Sequence, residues 1–358
     1  MKILDLYILK KFLKTYLFAV LIIVVIVMVI DYTEKTDDFI RKNVPLKEIL
    51  FDYYLNFIPY WANYISPLMV FIATVFFTAN MAARTEIIAS LSTGISFTRL
   101  MRPYLIGASI ISVWTFIMMG WIVPNANKIR VPFENKYINS NYFFDKRNYH
   151  VKIGPDLYAY LESYDNNFKI GYRFTLEKIK GIDIERKISA DRILWDTTHK
   201  KWSLMNYQLR IDEQGKKFVE SGVKLDTALN LSPKDFENKH LIQETFTLPE
   251  LDEHIKLVES RGSEGIEIFL IEKYLRFTNP ISAIILTIIG FLVSARKSRG
   301  GVGYRIALGF TLAFVYIMFF IMSKGIAEGG GMPPILAVWL PNIIFSMIGI
   351  GLYYSLPR

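Results

Sequence analysis

The chain has 358 residues, 52% of them hydrophobic, with 42 Lys and Arg against 33 Asp and Glu and no cysteine. The missing cysteine excludes a disulfide framework, a thiolate metal site and a thiol nucleophile. The formal charge of +9 raises nucleic-acid binding only until the basic residues are placed: Lys2, Lys10, Lys11 and Lys14, then Arg84, Arg99 and Arg102, then Arg296, Lys297, Arg299 and Arg305, and finally Arg358 all crowd beside apolar stretches. That is a topology signal of a membrane protein and no nucleic-acid footprint.

In chain order, residues 2–12 (KILDLYILKKF) set Ile3, Leu4, Tyr7, Ile8 and Phe12 at helical spacing, which predicts an amphipathic helix on the inner membrane interface. Six stretches then approach the roughly 20 apolar residues that a bilayer core requires: Thr15–Ile30, Tyr53–Ala83, Pro103–Asn127, Phe277–Ala295, Ile306–Ser323 and Gly329–Pro357. One such stretch could be a buried core helix; six in two groups of three predict membrane spans. The first is followed by Asp31-Tyr32-Thr33-Glu34 rather than a small-residue cleavage site, so it reads as a retained helix and not a signal peptide. The basic clusters predict that both termini are cytoplasmic. Residues 31–52 then form a short outer connection of mixed charge, and Pro59 and Pro67 interrupt the second span.

Between the second and third spans lies ARTEIIASLSTGISFTR (residues 83–99), too polar for the membrane yet periodic. Ile87, Ile88, Leu91 and Ile95 fall on one face, and Gly94 ends the pattern as a C-terminal glycine does. Glu86 opens this short cytoplasmic helix, where the helix dipole by itself would favour a carboxylate.

From Pro124 to Gly265 the apolar runs stop. Leu157–Leu161, Gly171–Leu176, Lys187–Trp195 and Lys201–Ile211 alternate with period two and are separated by turn-type clusters, which predicts an antiparallel sandwich or jelly roll. An odd number of preceding spans puts this domain outside the cytoplasm. A polar helix over residues 249–262 leads back to the membrane, with Pro249 and Gly262 at its ends, and Gly329–Pro334 breaks the chain between the last two spans. The predicted fold is thus an α+β membrane protein of six transmembrane helices, three and three, around an inserted periplasmic antiparallel β jelly-roll domain. Residues 1–123 hold the interfacial helix, the first three spans and a cytoplasmic helix near 84–97. Residues 124–265 form the β domain and 266–358 the last three spans.

Enzymatic chemistry is hard to find. There is no Walker loop, no H-E-x-x-H and no G-x-S-x-G, and His150, His199, His240 and His254 lack metal-ligand spacing, so no catalytic residue, cofactor or metal is expected. The spans carry almost no charge, which argues against an ion-coupled transporter that powers itself.

The segment RTEIIASLSTGIS resembles the coupling helix of the LptF/LptG permease subunits of the lipopolysaccharide export ABC transporter. Order and topology agree over the whole chain, with support from WIVPNAN (121–127), GGVGYRIALGF (300–310) and GMPPILAVWLPNIIF (331–345). The resemblance implies a permease of the bacterial inner membrane that is not itself an enzyme. A cytoplasmic ABC ATPase dimer would bind Glu86, Ile87, Ile88, Leu91 and Gly94; a paralogous or identical second permease would complete a cavity; periplasmic jelly-roll bridge proteins would continue the β domain by edge-strand addition. Lipopolysaccharide would enter between the first helix of one subunit and the fifth of the other. It implies an acyl wall of Leu17, Val20, Val24 and Met28 with Phe310, Phe314, Ile317, Phe320 and Ile321. For the lipid phosphates, the candidates by depth are Lys35, Arg41, Lys42, Lys128, Arg130 and Lys324, although Asp31 and Glu34 depart from a simple basic ring. An alternative reading is a membrane-anchored sensor or scaffold whose outer β domain binds a ligand; such a protein has no need of the helix at Glu86.

Overall fold

The computed structural model describes residues 3–138, 147–166, 168–181, 183–213, 216–236, 241–261, 265–295 and 301–354. Lys2, His240, Gly262, Arg296, Lys297, Arg299, Gly300, Pro357 and Arg358 lie outside the described residues. The chain divides into two compact units: Met1–Ile138, Gln243–Asp252 and Glu267–Arg358 form one, and Asn139–Ile242 with Glu253–Ile266 the other.

The first unit is helical and contains six helices long and apolar enough to cross a membrane. Helix α1 (Ile3–Arg41) is unbroken from the amphipathic start through the apolar span and on past Asp31. At a rise of about 1.5 Å per residue it is close to 60 Å long. The residues expected to form an outer loop carry an i,i+4 ion pair, Lys35 Nζ to Asp31 Oδ1 at 2.6 Å, and no glycine or proline interrupts them before Asn43 turns left-handed at φ 48° ahead of Pro45. A single turn, α2 (Leu46–Glu48), and a π-helical stretch (Ile49–Tyr54) lead into α3 (Leu55–Tyr64). Helix α4 (Ser66–Ala83) follows, with Pro67 in its first turn, where the missing N–H is not needed.

Two short elements matter for the site. Helix α5 (Glu86–Ser92) is set off from α4 by Thr85 at φ 59° and closed by Gly94 at φ 84°. The Gly94 N–H donates to the Leu91 carbonyl and the Ile95 N–H to the Ser90 carbonyl, a Schellman ending as the sequence predicts. Helix α6 (Phe97–Ile117), a π-helical stretch (Met118–Ile122) and α7 (Val123–Tyr137) then form one rod that continues ten residues beyond the predicted end at Asn127.

The return begins with α8 (Leu248–Arg261), then α9 (Ile266–Ser294), α10 (Gly301–Glu328) and α11 (Pro334–Tyr354). Helix α4 packs against both α1 and α10, and α6 against α1. Close approach needs small residues here: a Cβ on Gly107 would lie 2.7 Å from Phe12, and one on Gly309 2.7 Å from Val75. Tyr316 and Asn342, buried between helices, are bonded: Tyr316 Oη to Asn342 Oδ1 at 3.0 Å, and Asn342 Nδ2 to the Thr278 carbonyl at 3.3 Å.

The second unit holds a seven-stranded antiparallel sheet: β1 (Tyr149–Gly154), β2 (Leu157–Leu161), β3 (Ser163–Asp165), β4 (Ile170–Lys180), β5 (Asp183–Asp196), β6 (Lys201–Glu213) and β7 (Lys216–Thr227). The order is β1-β2-β4-β5-β6-β7, with β3 paired to β4. The antiparallel β class agrees with the sequence, and the described strands run in meander order. Strands β1, β3 and β7 lie outside the four stretches picked out by sequence; β7 (KKFVESGVKLDT) is charged and interrupted by Gly222, as edge strands are. The core of this unit gathers Leu161, Phe174, Ile193, Trp202, Leu204 and Phe236, and the buried Trp202 indole donates to the Leu231 carbonyl at 2.8 Å. The β5–β6 turn is fixed by Asp196, whose Oδ1 accepts from the Thr198 and His199 N–H groups. Bonds from His199, side chain first, hold its carboxyl down to about 2.

Candidate functional site: helix α5 and the buried charges

At the end of the helical unit where α4, α5 and α6 meet, seven residues of helix are too few to persist alone in water. Ile87 anchors them: it is 1% exposed in a cluster with Met81, Leu100, Tyr104 and Phe291. Glu86 is half-buried, while Ile88, Ala89, Leu91 and Ser92 face outward. The five residues singled out by sequence therefore divide by task. Ile87 holds the helix to the bundle, Ile88 and Leu91 form its free apolar face, and Gly94 closes it. Nearby, Arg99 Nη2 pairs with Asp5 Oδ2 at 2.7 Å and ties α6 to the start of α1.

At the opposite end of α1 the basic candidates are mostly engaged. Lys35 bonds Asp31 and the Tyr53 hydroxyl, with Glu134 Oε1 at 3.9 Å; Asp31 also accepts from Tyr53 Oη at 2.9 Å and Tyr54 Oη at 3.3 Å. Asp31, which looked out of place in a basic ring, is thus the acceptor that positions Lys35. Lys42 donates to the Tyr137 carbonyl, Lys128 pairs with Glu250 at 2.8 Å, and Lys324 with Glu328 at 3.5 Å. Arg41 is exposed and makes no ion pair among the described residues.

Arg130 is 3% exposed. It bonds Asn127 Oδ1 (3.0 Å), Glu134 Oε1 (2.9 Å) and Glu244 Oε2 (3.4 Å), with its guanidinium 4.1 Å from the Tyr60 ring centre. Arg276, fully buried, bonds Glu272 Oε1 (3.2 Å) and the Phe246 carbonyl (2.6 Å). Hydropathy could not find Glu134, Glu244, Tyr60 or Arg276. The visible signal was two i,i+4 pairs of opposite charge, Arg130/Glu134 and Glu272/Arg276, at the ends of apolar runs. Burial, followed by the Glu272 carboxylate, pushes the Glu244 carboxyl up to about 7, against Arg130, Lys324 and the Tyr60 hydrogen bond, which lower it. Lys128, and after it the Thr247 backbone, hold Glu250 down to about 2.

The apolar candidates also divide. On α1, Leu17 is exposed along with Phe18, Leu21, Val25 and Val29, whereas Val24 is buried, Val20 packs against the main helical core and Met28 against the Tyr53–Phe57 cluster. On α10, Phe310, Phe314 and Ile321 are exposed, while Ile317 and Phe320 pack against α9 and α11 residues. Among the described residues, no group of three or more His, Asp and Glu could hold a metal ion.

A family model described as lipopolysaccharide export system permease LptF/LptG matches residues 6–355. Comparison with curated proteins finds no match.

Proposed function

The chain belongs to the LptF/LptG family of lipopolysaccharide export permeases, and on that premise we propose that it moves lipid with energy from a separate cytoplasmic ATPase dimer, received through α5. Membership makes it a permease subunit and a multi-pass inner-membrane protein. The observation that carries the coupling role is the build of α5: one buried anchor, Ile87, with Glu86 and the free pair Ile88 and Leu91 offered to a groove. An apolar helix face oriented by one charge is a recurrent recognition mode.

In this reading both termini are cytoplasmic, the sheet is periplasmic, and the unpartnered faces of α1 and α10 meet lipid chains and a second permease. Arg41 is the rim cation best disposed to meet a lipid phosphate. The free side of β7, where Phe218, Val219 and Val223 are exposed, supports addition of a strand from a bridge protein. The test is copurification: tagged chain recovers an ATP-binding subunit, and Glu86→Lys abolishes recovery or leaves ATP hydrolysis without lipid release. Unchanged export by Glu86→Lys would remove the coupling role.

A further inference from the structure

The segment Gln243–Asp252 belongs to the helical unit, although the chain on either side of it, Asn139–Ile242 and Glu253–Ile266, belongs to the sheet-bearing unit. Its backbone is gripped at alternate residues by side chains from two helices. Asn127 Nδ2 of α7 donates to the Glu244 carbonyl at 3.2 Å, and Arg276 Nη2 of α9 to the Phe246 carbonyl at 2.6 Å. Beyond these, Lys128 holds Glu250 at 2.8 Å and Lys273 holds Asp252 at 2.7 Å. We propose that Arg130, Asn127 and Arg276 form a clasp that fastens this strap to the helices, and that the charge of Glu244 is the latch that releases it.

Three observations bear on the clasp. Asn127, Arg130 and Arg276 are each no more than 3% exposed, so they were withdrawn from water at a cost that only their hydrogen bonds and ion pairs offset. Within this set the grip on the Glu244 side chain is the slackest: Arg130 and Tyr60 both lie 3.4 Å away, against 2.9 Å for Arg130 to Glu134. The buried charge is also left incomplete, because Arg276 Nη1 has no hydrogen-bond partner among the described residues.

The groups that act on Glu244 are Arg130 of α7, Glu272 of α9, Lys324 of α10 and Tyr60 of α3. Their sum, with burial, leaves its carboxyl titrating at about 7 in the clasp, against an ordinary value of 4.5. The sign follows from linkage. The clasped state holds its proton more tightly than the open one, so its advantage is full below the ordinary carboxylate value and is lost as pH rises through the clasped value. Between pH 6 and 8 the open population rises on the order of tenfold. Arg130 acts as a positioning residue: it orients Glu244 and touches no substrate.

The test is amide exchange of residues 243–250 in the full chain in lipid nanodiscs, read by mass spectrometry at pH 6, 7 and 8 for wild type, Glu244→Gln and Arg130→Gln. The ratio of wild type to Glu244→Gln cancels the intrinsic pH dependence of exchange. It is expected to rise on the order of tenfold from pH 6 to 8, while Arg130→Gln exchanges at least about tenfold faster than wild type already at pH 6. A flat ratio overturns the latch, and wild-type protection in Arg130→Gln overturns the clasp. Should Arg130→Gln fail to fold, the near-isosteric Glu244→Gln series decides alone. Because the readout needs neither ATPase nor lipid transport, its result is independent of the coupling role assigned to α5.

Discussion

Ile87→Ala is the sharpest probe of the coupling role proposed for α5, because it leaves the exposed face of α5 untouched and removes only what holds it. Ile87 is 1% exposed within the main helical cluster. Truncating such a side chain costs about 2–4 kcal/mol in transfer and cavity terms. The whole bundle can absorb that amount, but α5 has seven residues and little propensity of its own, so the cost falls on docking of this one element. At about 1.4 kcal/mol per factor of ten, roughly 3 kcal/mol multiplies the detached population by about a hundred. Amide exchange of residues 86–92 in the intact chain should accelerate by that order while the rest of α4 and α6 stays protected, and ATP hydrolysis in the reconstituted complex should proceed without lipid release. Ile87→Val should lie between, near 1 kcal/mol. Unchanged protection of α5 in Ile87→Ala would refute the anchor, and normal lipid release from a detached α5 would refute coupling through it.

Other consequences are open to direct measurement. Arg41→Glu should lower photocrosslinking of the chain to lipopolysaccharide several-fold, whereas Lys128→Ala, which loses only an exposed pair with Glu250, should change it little. Trp202→Ala removes a fully buried ring and leaves the Leu231 carbonyl without its donor; a loss of about 3–5 kcal/mol should make the sheet the first site of limited proteolysis in the intact chain. Gly171→Ala would bring a Cβ to 2.2 Å from Leu161 and 2.8 Å from Ile193, overpacking that should cost about 1–3 kcal/mol and lower the protease resistance of β4 without affecting the helices.

How far the amino-acid order reaches is visible element by element. Hydropathy identifies six spans because bilayer thickness sets a length that a window along the chain can measure. Period two identifies β2, β4, β5 and β6 because each has one face in the core. Glu86 to Gly94 is legible because its N-terminal carboxylate and C-terminal glycine are local devices. The extensions of α1 to Arg41 and α7 to Tyr137 escape, since their polar residues look like loop until their acceptors are known. Strand β7 escapes because an edge strand need not alternate.

What the sequence by itself determined is therefore the layout: membrane spans, an inserted antiparallel sheet and a short helix between the second and third spans. Which face of each helix turns inward was a tertiary decision. Val24 and Ile87 are buried while Leu17 and Ile88 are exposed, although all four are aliphatic and sit within helical patterns. The buried charges were likewise decided by the fold. Arg130 lies 114 positions from Glu244 in sequence, and no local pattern connects them. An ion pair withdrawn from water is specified by geometry that many distant residues supply together, and that information becomes available only when the chain has folded.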